Sequence, residues 1–469
     1  MTGSVSLTAA TAVEPSWPRE GLREWYAQRQ RASRSEVERI PFDALRGWQI
    51  DPATGNVYHT GGGFFTVEGL DVHLGDGPVQ HWQQPIISQP EIGILGLLVR
   101  RVAGRLQCLM QAKMEPGNVN GVQLSPTVQA TRSNYTQVHG GSRVRYLDAF
   151  TESRPEQVIA DVLQSEQGSW FLGKRNRNIV VEVTDRMVEN DNFHWIDLAD
   201  LKRLFRIDNL VNMDTRTVLA CLVSAPMRSQ TEGGTAVDGF ESALDRSFAA
   251  DSGSKHTDLE VLSWFTGLRT RQELNIRRIP LGSVQDWQRD RYEIHHARHR
   301  HFSIIGVEVH TGVREVSGWT QPMLLPRGRG VVAFLTRRFD DVLHVLVQAV
   351  AQPGLRDLVE MGATVQCRPE NYSHLPVDQQ PPFLSTVLSA PPERIRYDCV
   401  LSEEGGRFYH AENRYMVVDA GDLAPAEPPA DFLWVTPRQL SHLLRHSHYV
   451  NVEARSLLAC LYSMSRLSP

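Results

Sequence analysis

Runs of apolar and β-branched residues broken by glycine predict most of the strands of this chain. The clearest runs in the first half are FFTVEGLDVH (64–73), ILGLLVRRV (94–102) and RLQCLMQAKM (105–114). Each has a counterpart later in the chain, near residues 302–310, 331–336 and 342–350. Short runs of this composition are typical of strands.

Apolar residues at i, i+3 and i+4 spacing predict helices elsewhere, some of them after an Asp or Thr cap. The segments with this pattern are 197–208, 213–224, 436–447 and 452–463. Residues 154–168 are also predicted to be helical, because their apolar positions 158, 159, 162 and 163 have helical spacing and Gly168 ends the segment. One further helix is expected ahead of each half, in residues 21–38 and 259–275.

The second half of the chain repeats the first. The segment QAKMEPGNVNGVQLSPTVQATRSNY (111–135) returns as QAVAQPGLRDLVEMGATVQCRPENY (348–372), with ten of 25 positions identical at a constant offset of 237. In the same order, SEQGSWF (165–171) matches SEEGGRF (402–408). Ordered matches over this length indicate a tandem duplication of one domain.

The duplication predicts an α/β (α+β) protein with two similar domains, each a mixed β-sheet flanked by helices. The first repeat covers residues 21–224 and the second covers 256–469. Residues 225–255 are rich in Gly, Ser and Thr and have no counterpart, so they are predicted to be a connector with a short helix around 238–249.

Composition narrows the class of protein. The 469 residues carry a formal net charge of −5 without a long basic run, which argues against non-specific nucleic-acid binding. Neither a signal-peptide pattern nor a window of 18 consecutive apolar residues is found, so export and a membrane span are not predicted. Five cysteines without a CxxC pair fit reduced thiols in a cytoplasmic protein.

The histidine run HHARHRH (295–301) raises the question of a metal site. Only His296 has a histidine partner in the other repeat, His59, and no carboxylate is recognised at ligand spacing. An exposed hairpin is therefore the favoured interpretation, and no metal site is predicted. Cys221 and Cys460 lie on apolar helix faces and are expected in the core.

Trp48 and Trp287 occupy matched positions near the start of the two repeats. One interpretation is that both are core tryptophans. Their polar neighbours, RGWQID and QDWQRD, also suit an exposed indole that stacks on a nucleobase. The sequence leaves both interpretations open.

Residues 111–135 hold the richest set of polar groups. Lys113 and Glu115 alternate with apolar neighbours near a strand end, so both side chains are expected on one face. The second repeat keeps the Gln, Pro-Gly and Asn-Tyr positions but replaces three polar residues: Lys113 by Val350, Glu115 by Gln352 and Asn118 by Leu355. A persistent frame with divergent acid and base positions indicates a working site beside an altered copy, although a drifting surface loop predicts some of the same differences.

A family resemblance is carried by three segments: QAKMEPGNVNGVQLSPTVQATRSNYTQVHGG (111–141), QSEQGSWFLGKRNRNIVVEV (164–183) and LSEEGGRFYHAENRYMVV (401–418). They resemble the NDP-hexose 2,3-dehydratases of deoxysugar biosynthesis, and the likeness spans about residues 24–465. The resemblance implies two Nudix-like domains per subunit, a homodimer and a dTDP-4-keto-6-deoxyhexose substrate. The Nudix metal box GX5EX7REUXEEXGU occurs in neither repeat, and EQVIADVLQSEQG is at most a relic of its helix.

The implied reaction is loss of the C2 hydroxyl after abstraction of the C3 proton, which the C4 ketone acidifies. It gives a 3,4-diketo-2,6-dideoxy sugar nucleotide for natural-product (antibiotic) biosynthesis, and a downstream ketoreductase is expected to take this unstable product. No electrons are transferred, so no cofactor is expected. By hypothesis Glu115 is the base, Lys113 stabilises the enolate, and His139 or Tyr135 donates the proton.

Substrate-binding residues are predicted in both repeats. In the first repeat they are Trp48, Asn118, Thr131, Arg132, Ser133, Asn134, Tyr135 and Ser169. In the second they are Trp287, Arg356, Tyr372, Ser373, His374, His410, Ala411, Glu412 and Asn413. Thymine would stack on tryptophan and arginine would face the diphosphate.

Two other functions remain open. A Nudix-like hydrolase would cleave the nucleotide sugar with Mg²⁺, but the missing metal box argues against it. A non-catalytic nucleotide-sugar-binding protein would keep the pocket aromatics without needing Lys113 and Glu115. A site that crosses the domain or subunit boundary is also possible, so placing catalysis in the first repeat is a prediction.

Overall fold

The computed structural model describes residues 17–75, 79–132, 143–184, 190–223, 228–229, 239–249, 253–312 and 318–469. Its two halves repeat one arrangement, in which a helix leads into a five-stranded antiparallel sheet, then a seven-stranded mixed sheet, then two closing helices. The predicted mixed α/β class with two similar halves is confirmed. Among these residues no helix is long and apolar enough to span a membrane.

The first repeat begins with helix α1 (Glu20–Ser33). Its strands are β1 (Glu36–Ile40), β2 (Trp48–Ile50), β3 (Val57–His59), β4 (Thr66–Leu74), β5 (His81–Ser88), β6 (Gly93–Val102), β7 (Arg105–Met114), β8 (Val122–Ser125), β9 (Val128–Ala130), β10 (Val158–Ser165), β11 (Arg175–Glu182) and β12 (Phe193–Asp197). Its other helices are α2 (Asp148–Thr151), α3 (Leu198–Leu204) and α4 (Met213–Leu222). Strand β13 (Arg228–Ser229) and helix α5 (Gly239–Phe248) lie in the predicted connector.

The second repeat begins with helix α6 (Asp258–Arg271). Its strands are β14 (Leu274–Ile279), β15 (Trp287–Arg289), β16 (Glu293–His296), β17 (Phe302–His310), β18 (Gly318–Pro326), β19 (Gly330–Phe339), β20 (Val342–Ala351), β21 (Val359–Gly362), β22 (Val365–Cys367), β23 (Ile395–Ser402), β24 (Glu412–Asp419), β25 (Phe432–Val435) and β26 (Leu467–Ser468). Its other helices are α7 (Leu384–Leu388), α8 (Pro437–Leu443) and α9 (Val452–Met464).

One predicted helix is wrong. Residues 154–168 contain strand β10, which pairs antiparallel with β11 over Val158–Ser165. The register shifts between Val158 and Ala160, so Ile159 is an extra residue in the strand. This bulge disturbs the two-residue alternation and produces the apolar spacing that resembles a helix. The segment is therefore no relic of a Nudix-box helix.

The larger sheet of each repeat mixes parallel and antiparallel strands in the same order. In the first repeat the order is β10-β11-β6-β7-β12, and in the second it is β23-β24-β19-β20-β25. The β6–β11 and β19–β24 pairs are parallel, whereas their neighbours are antiparallel. One core cluster of buried side chains runs through both repeats and includes Cys460. Cys221 is also buried, and helices α4 and α9, which carry the two cysteines, pack together.

The repeats exchange their first strands. Strand β1 of the first repeat pairs with β17 of the second, from Glu36 opposite His310 to Ile40 opposite Gly306. Strand β14 of the second repeat pairs with β4 of the first in the equivalent way. Each five-stranded sheet therefore contains residues of both repeats, and the two halves cannot separate without breaking these ladders.

The repeated Pro-Gly pair marks a second exchange of contacts. The Gly117 N–H donates to the Gly405 carbonyl at 2.7 Å, and the His410 N–H donates to the Gly117 carbonyl at 2.9 Å. In the other half, the Gly354 N–H donates to the Gly168 carbonyl at 2.7 Å, and the Gly173 N–H donates to the Gly354 carbonyl at 2.7 Å. Each turn thus inserts into a loop of the other repeat.

We expect Gly117→Ala to destabilise the fold. A Cβ at this position would stand 1.7 Å from the Phe408 carbonyl oxygen, so the inter-repeat contact must move apart. Overpacking of this kind costs roughly 1–3 kcal/mol, measured as the free energy of unfolding in denaturant. The control is Gly267→Ala in helix α6, where a Cβ meets nothing within 4 Å and helix propensity should stabilise by up to about 1 kcal/mol. Equal stability of the two variants would contradict the contact.

Candidate active site

A cavity of about 580 Å³ lies between the two repeats and receives titratable side chains from both. The first repeat contributes Arg46, His59, Lys113, Glu115, Glu166, Lys174 and Asp214, and the second contributes Glu404 and Arg407. The aromatic side chains on its wall are Trp48, Phe64, Phe65, Phe171 and Trp319. The volume is in the range of small-molecule sites.

Lys113 and Glu115 are fixed by one glutamine. Both lie where β7 runs into the Pro-Gly turn, and both line the cavity, as their two-residue spacing predicts. The Lys113 ammonium donates to the Gln129 carbonyl at 2.7 Å, and the Gln129 amide donates to Glu115 Oε1 at 2.7 Å. Asn212, the N-cap of helix α4, donates to Gln129 Oε1 at 3.1 Å. The pair is therefore tied to the start of α4.

A second carboxylate enters the cavity from the other repeat. Glu404 follows strand β23, and its two oxygens accept the backbone N–H groups of Gly406 at 3.0 Å and Arg407 at 2.8 Å. Burial is the main cause that raises the pKa of Glu404 to about 7, and the nearby charge of Glu115 raises it further. A carboxyl group with this pKa is present in both protonation states near neutrality.

Two more acids and a lysine lie deeper in the wall. Burial raises the pKa of Asp214 well above its ordinary value, reinforced by the like charges of Glu166 and Glu115. Burial also raises the pKa of Glu166, whose Oε1 accepts the Asn176 amide at 2.6 Å. Burial lowers the pKa of Lys174 to about 8, against the attraction of Glu166. These three groups are buried, and their charges act on one another.

Two buried arginines lock the loops that carry the acids. Arg216 of α4 donates to the Ser402 carbonyl in the second repeat at 2.7 Å. Arg455 of α9 donates to the Ser165 carbonyl in the first repeat. Both side chains are fully buried. Ser165 directly precedes Glu166, and Ser402 directly precedes Glu403 and Glu404. The last helix of each repeat therefore positions the acid-bearing loop of the other repeat.

Comparison with known proteins identifies the family. The family model described as NDP-hexose 2,3-dehydratase matches residues 19–222 and again 258–461. The chain belongs to the NDP-hexose 2,3-dehydratase family. The family and enzyme class predicted from the sequence are thereby confirmed, and each match falls on one repeat.

Three relatives align over nearly the whole chain, and each is named dTDP-4-dehydro-6-deoxy-alpha-D-glucopyranose 2,3-dehydratase. The protein of Amycolatopsis orientalis is 47% identical, covering 97% of this chain and 93% of its own length. That of Saccharopolyspora spinosa is 48% identical, covering 94% and 90%. That of Streptomyces violaceoruber is 50% identical, covering 95% and 97%.

Apart from Arg132, the first-repeat residues predicted to bind substrate in this dehydratase divide into three groups. Trp48 and Thr131 line the cavity, and the Trp48 indole N–H donates to the Thr320 carbonyl at 2.9 Å, so this buried tryptophan has a core side and a cavity side. Asn118 packs against Gly405 at the inter-repeat contact, and Ser169 offers its carbonyl to Gln84, so neither lines the cavity. The third group, Ser133, Asn134 and Tyr135, lies outside the described residues, and so does His139, which was predicted as a proton donor.

Arg132 and the predicted second-repeat residues lie outside this cavity's lining. Arg132 is exposed next to Thr131. Trp287 donates to the Gln83 carbonyl at 3.2 Å and packs on Phe302. The others lie in the turn after β20, in the segment after β22, and in the end of the loop before β24 with the first two residues of that strand: Arg356, Tyr372, Ser373, His374, His410, Ala411, Glu412 and Asn413. Of these, Asn413 donates to Glu403, and Glu412 accepts from Asn209 and Arg329.

Sequence reasoning missed Glu404, Arg407 and Lys174, although the signal was present. In the repeat alignment Glu404 stands opposite Gln167, Arg407 opposite Trp170, and Lys174 opposite Ala411. Glu404 is therefore an acid of the second repeat that faces a glutamine in the first, whereas Glu115 is an acid of the first repeat that faces a glutamine, Gln352, in the second. Reading both exchanges together would have indicated a site made of Glu115 and Glu404.

Within the described part of the chain, two clusters of potential metal ligands lie outside the cavity lining. Asp71, His73 and His81 form one, and Asp290, Glu293 and His295 form the other. Carboxylates therefore do lie within reach of the histidine run, contrary to the sequence interpretation: Glu293 Oε1 is 3.8 Å from His295 Nδ1. Their carboxylates already hold other donors, since Asp71 accepts Arg277 at 2.8 Å and Glu293 accepts Arg327 at 2.8 Å.

Proposed function

We propose that this protein dehydrates a dTDP-4-keto-6-deoxyhexose, giving the 3,4-diketo-2,6-dideoxy sugar nucleotide. The names of its relatives support the substrate. The observation that carries the chemistry is the placement of Lys113 and Glu115 side by side in the cavity, held by Gln129. An ammonium beside a carboxylate supplies what enolate formation needs, a base and a cation for the developing oxyanion.

The reaction begins at C3 of the sugar. Glu115 removes the C3 proton, and the electron pair moves onto the C4 oxygen. The Lys113 ammonium stabilises this enolate, in a cavity where burial strengthens the charge interaction. When the enolate collapses, the C2–O bond breaks, and water and an enol result. The enol takes a proton at C2 and becomes the diketone.

The cavity also suits the nucleoside diphosphate part of the substrate. Trp48 and Phe65 provide apolar faces, and the Arg407 guanidinium lies 4.5 Å over the Phe65 ring. Thymine is an aromatic base that stacks on such rings, and guanidinium groups pair with phosphate oxygens. Thr131 lines the same wall. That residues 132–135, which follow it in the chain, hold the diphosphate stays a prediction from the sequence.

The cellular setting is proposed from the family resemblance. The subunit consists of two Nudix-like domains and forms a homodimer in the cytoplasm. Its product is an unstable 1,2-diketone, so a ketoreductase of deoxysugar biosynthesis for antibiotics would follow it. The reaction transfers no electrons, so no redox cofactor takes part.

The reaction class is tested by incubating the protein with a dTDP-4-keto-6-deoxyhexose in the absence of added metal. We expect a product lighter by one water, detected by mass spectrometry after reductive trapping. Release of a sugar phosphate would instead support a hydrolase. Binding without chemical change would support a nucleotide-sugar-binding protein and contradict the proposal.

Replacing Glu115 by glutamine or Lys113 by alanine should abolish most turnover. General acid–base groups contribute about 10²–10⁴-fold, so kcat for water loss should fall by at least about 100-fold in each variant. Glutamine is the residue that the second repeat has at the equivalent position, which favours a folded Glu115→Gln protein. The exposed Glu152→Gln variant is the control and should keep the parent rate. Unchanged turnover in Glu115→Gln would overturn the assignment of the base.

Arg407→Ala should weaken substrate binding. A hydrogen bond to a charged group contributes about 1.5–3 kcal/mol, so KM should rise by roughly tenfold or more. Arg203→Ala removes an exposed arginine of helix α3 that does not line the cavity, and its KM should stay within about twofold of the parent. Steady-state kinetics at fixed ionic strength separates the two. A KM unaffected in Arg407→Ala would remove this arginine from the diphosphate site.

A further inference from the structure

Two carboxylates from different repeats meet in the cavity. A Cβ placed on Gly406 would stand 2.5 Å from Glu404 Oε1 and 3.7 Å from Glu115 Oε1, so these oxygens are at most about 6 Å apart. Adjacent sugar carbons are about 1.5 Å apart, and an acid or base acts over about 2.6–3.2 Å. The two carboxyl groups can therefore serve neighbouring carbons of one hexose.

The repeat offers an internal comparison of these acids. The equivalents of Glu115 and Glu404 in the other half are Gln352 and Gln167. Gln352 packs against Gly168 in the same manner as Glu115 packs against Gly405. The backbone frame therefore accepts an amide at both positions, and an amide transfers no proton at neutral pH. The Glu115–Glu404 pair therefore differs from the Gln352–Gln167 pair in its ability to transfer protons, and the fold does not require acids at these positions.

The other acids of the cavity lack this distinction. Glu166 corresponds to Glu403, and Asp214 corresponds to Glu453, so an acid is present in both repeats. Glu403 accepts three donors, including Asn413 at 2.6 Å, as Glu166 accepts Asn176. An acid that persists in both halves belongs to the common frame, and Glu166 and Glu403 also share a matching asparagine partner.

We infer that Glu404, a residue of the second repeat, is the general acid that protonates the departing C2 hydroxyl. This assignment rests on the proposed function and replaces His139 and Tyr135 in that role. The loop holds Glu404 through the N–H groups of Gly406 and Arg407, which leaves its orientation fixed beside Glu115. The working site is therefore completed by a residue from each half of the duplication.

Protons and electrons balance over the cycle. Glu115 takes the C3 proton, the enolate expels the C2 oxygen with its electron pair, and Glu404 gives that oxygen a proton, so water leaves. Glu115 then returns its proton to C2, while the proton of the enol hydroxyl group attached to C3 passes to Glu404. Both carboxyl groups regain their starting states, and the only net change is the loss of one water.

The test follows proton exchange and water loss separately in D₂O. In Glu404→Gln we expect water loss to fall by at least about 100-fold, while deuterium still enters C3 of the unreacted substrate. In Glu115→Gln both processes should be lost. Glu404→Asp keeps an acid and should recover part of the water loss, which keeps the assignment testable if the glutamine variant folds poorly. Glu152→Gln is the control for both readouts.

The pH profile gives an independent check. Water loss requires protonated Glu404, so the rate of the parent protein should decline as the pH rises above about 7, the pKa of this carboxyl group. The residual activity of Glu404→Gln should lack that decline.

Parent-like turnover in Glu404→Gln would overturn the inference, as would loss of C3 exchange together with water loss, which would make Glu404 the base. Exchange without water loss in His139→Asn or Tyr135→Phe, but not in Glu404→Gln, would return the acid to those residues. If the parent protein shows neither exchange nor water loss, the proposed function itself fails, and that result differs from all of these.

Discussion

The structure depends on a reciprocal contact in which each repeat inserts a Pro-Gly turn into a loop of the other. Gly117 lies so close to the Phe408 carbonyl that no Cβ fits, and Gly354 lies in the same way against Phe171. Buried polar backbone groups must find partners, and here they find them across the repeat boundary. The contact places the end of β7 next to the acidic loop of the other half.

Duplication explains how a single cavity comes to hold two different carboxylates. A symmetric pair of repeats would give two equal sites, each with one residue from a Pro-Gly turn and one from an acidic loop. In this chain one combination is Glu115 with Glu404, and the other is Gln352 with Gln167. The two combinations differ only by a Glu/Gln exchange at each of their two positions, so two substitutions, one in each repeat, are enough to turn one of two equal acid pairs into an amide pair.

Much of the fold was predictable because the same hydrophobic pattern occurs in both repeats. Strands β4, β6 and β7 and helices α3, α4, α8 and α9 lie where the apolar spacing placed them. Strand β10 was missed because its bulge at Ile159 imitates helical spacing. The strand exchange and the Glu115–Glu404 pair join residues about 200 to 290 positions apart, and local patterns hold no information about such pairing. Only the matched Glu and Gln positions of the alignment pointed to the second acid.

The central claim, a site shared by both repeats, is tested most directly by a crystal structure with dTDP-6-deoxyglucose. This analogue has a hydroxyl group at C4, so its C3 proton is not acidic and it stays intact. We expect its hexose between the two carboxylates, with C3 facing Glu115 and the C2 oxygen within hydrogen-bonding distance of Glu404. A hexose bound only by residues of the first repeat, with its C2 oxygen remote from Glu404, would contradict the account.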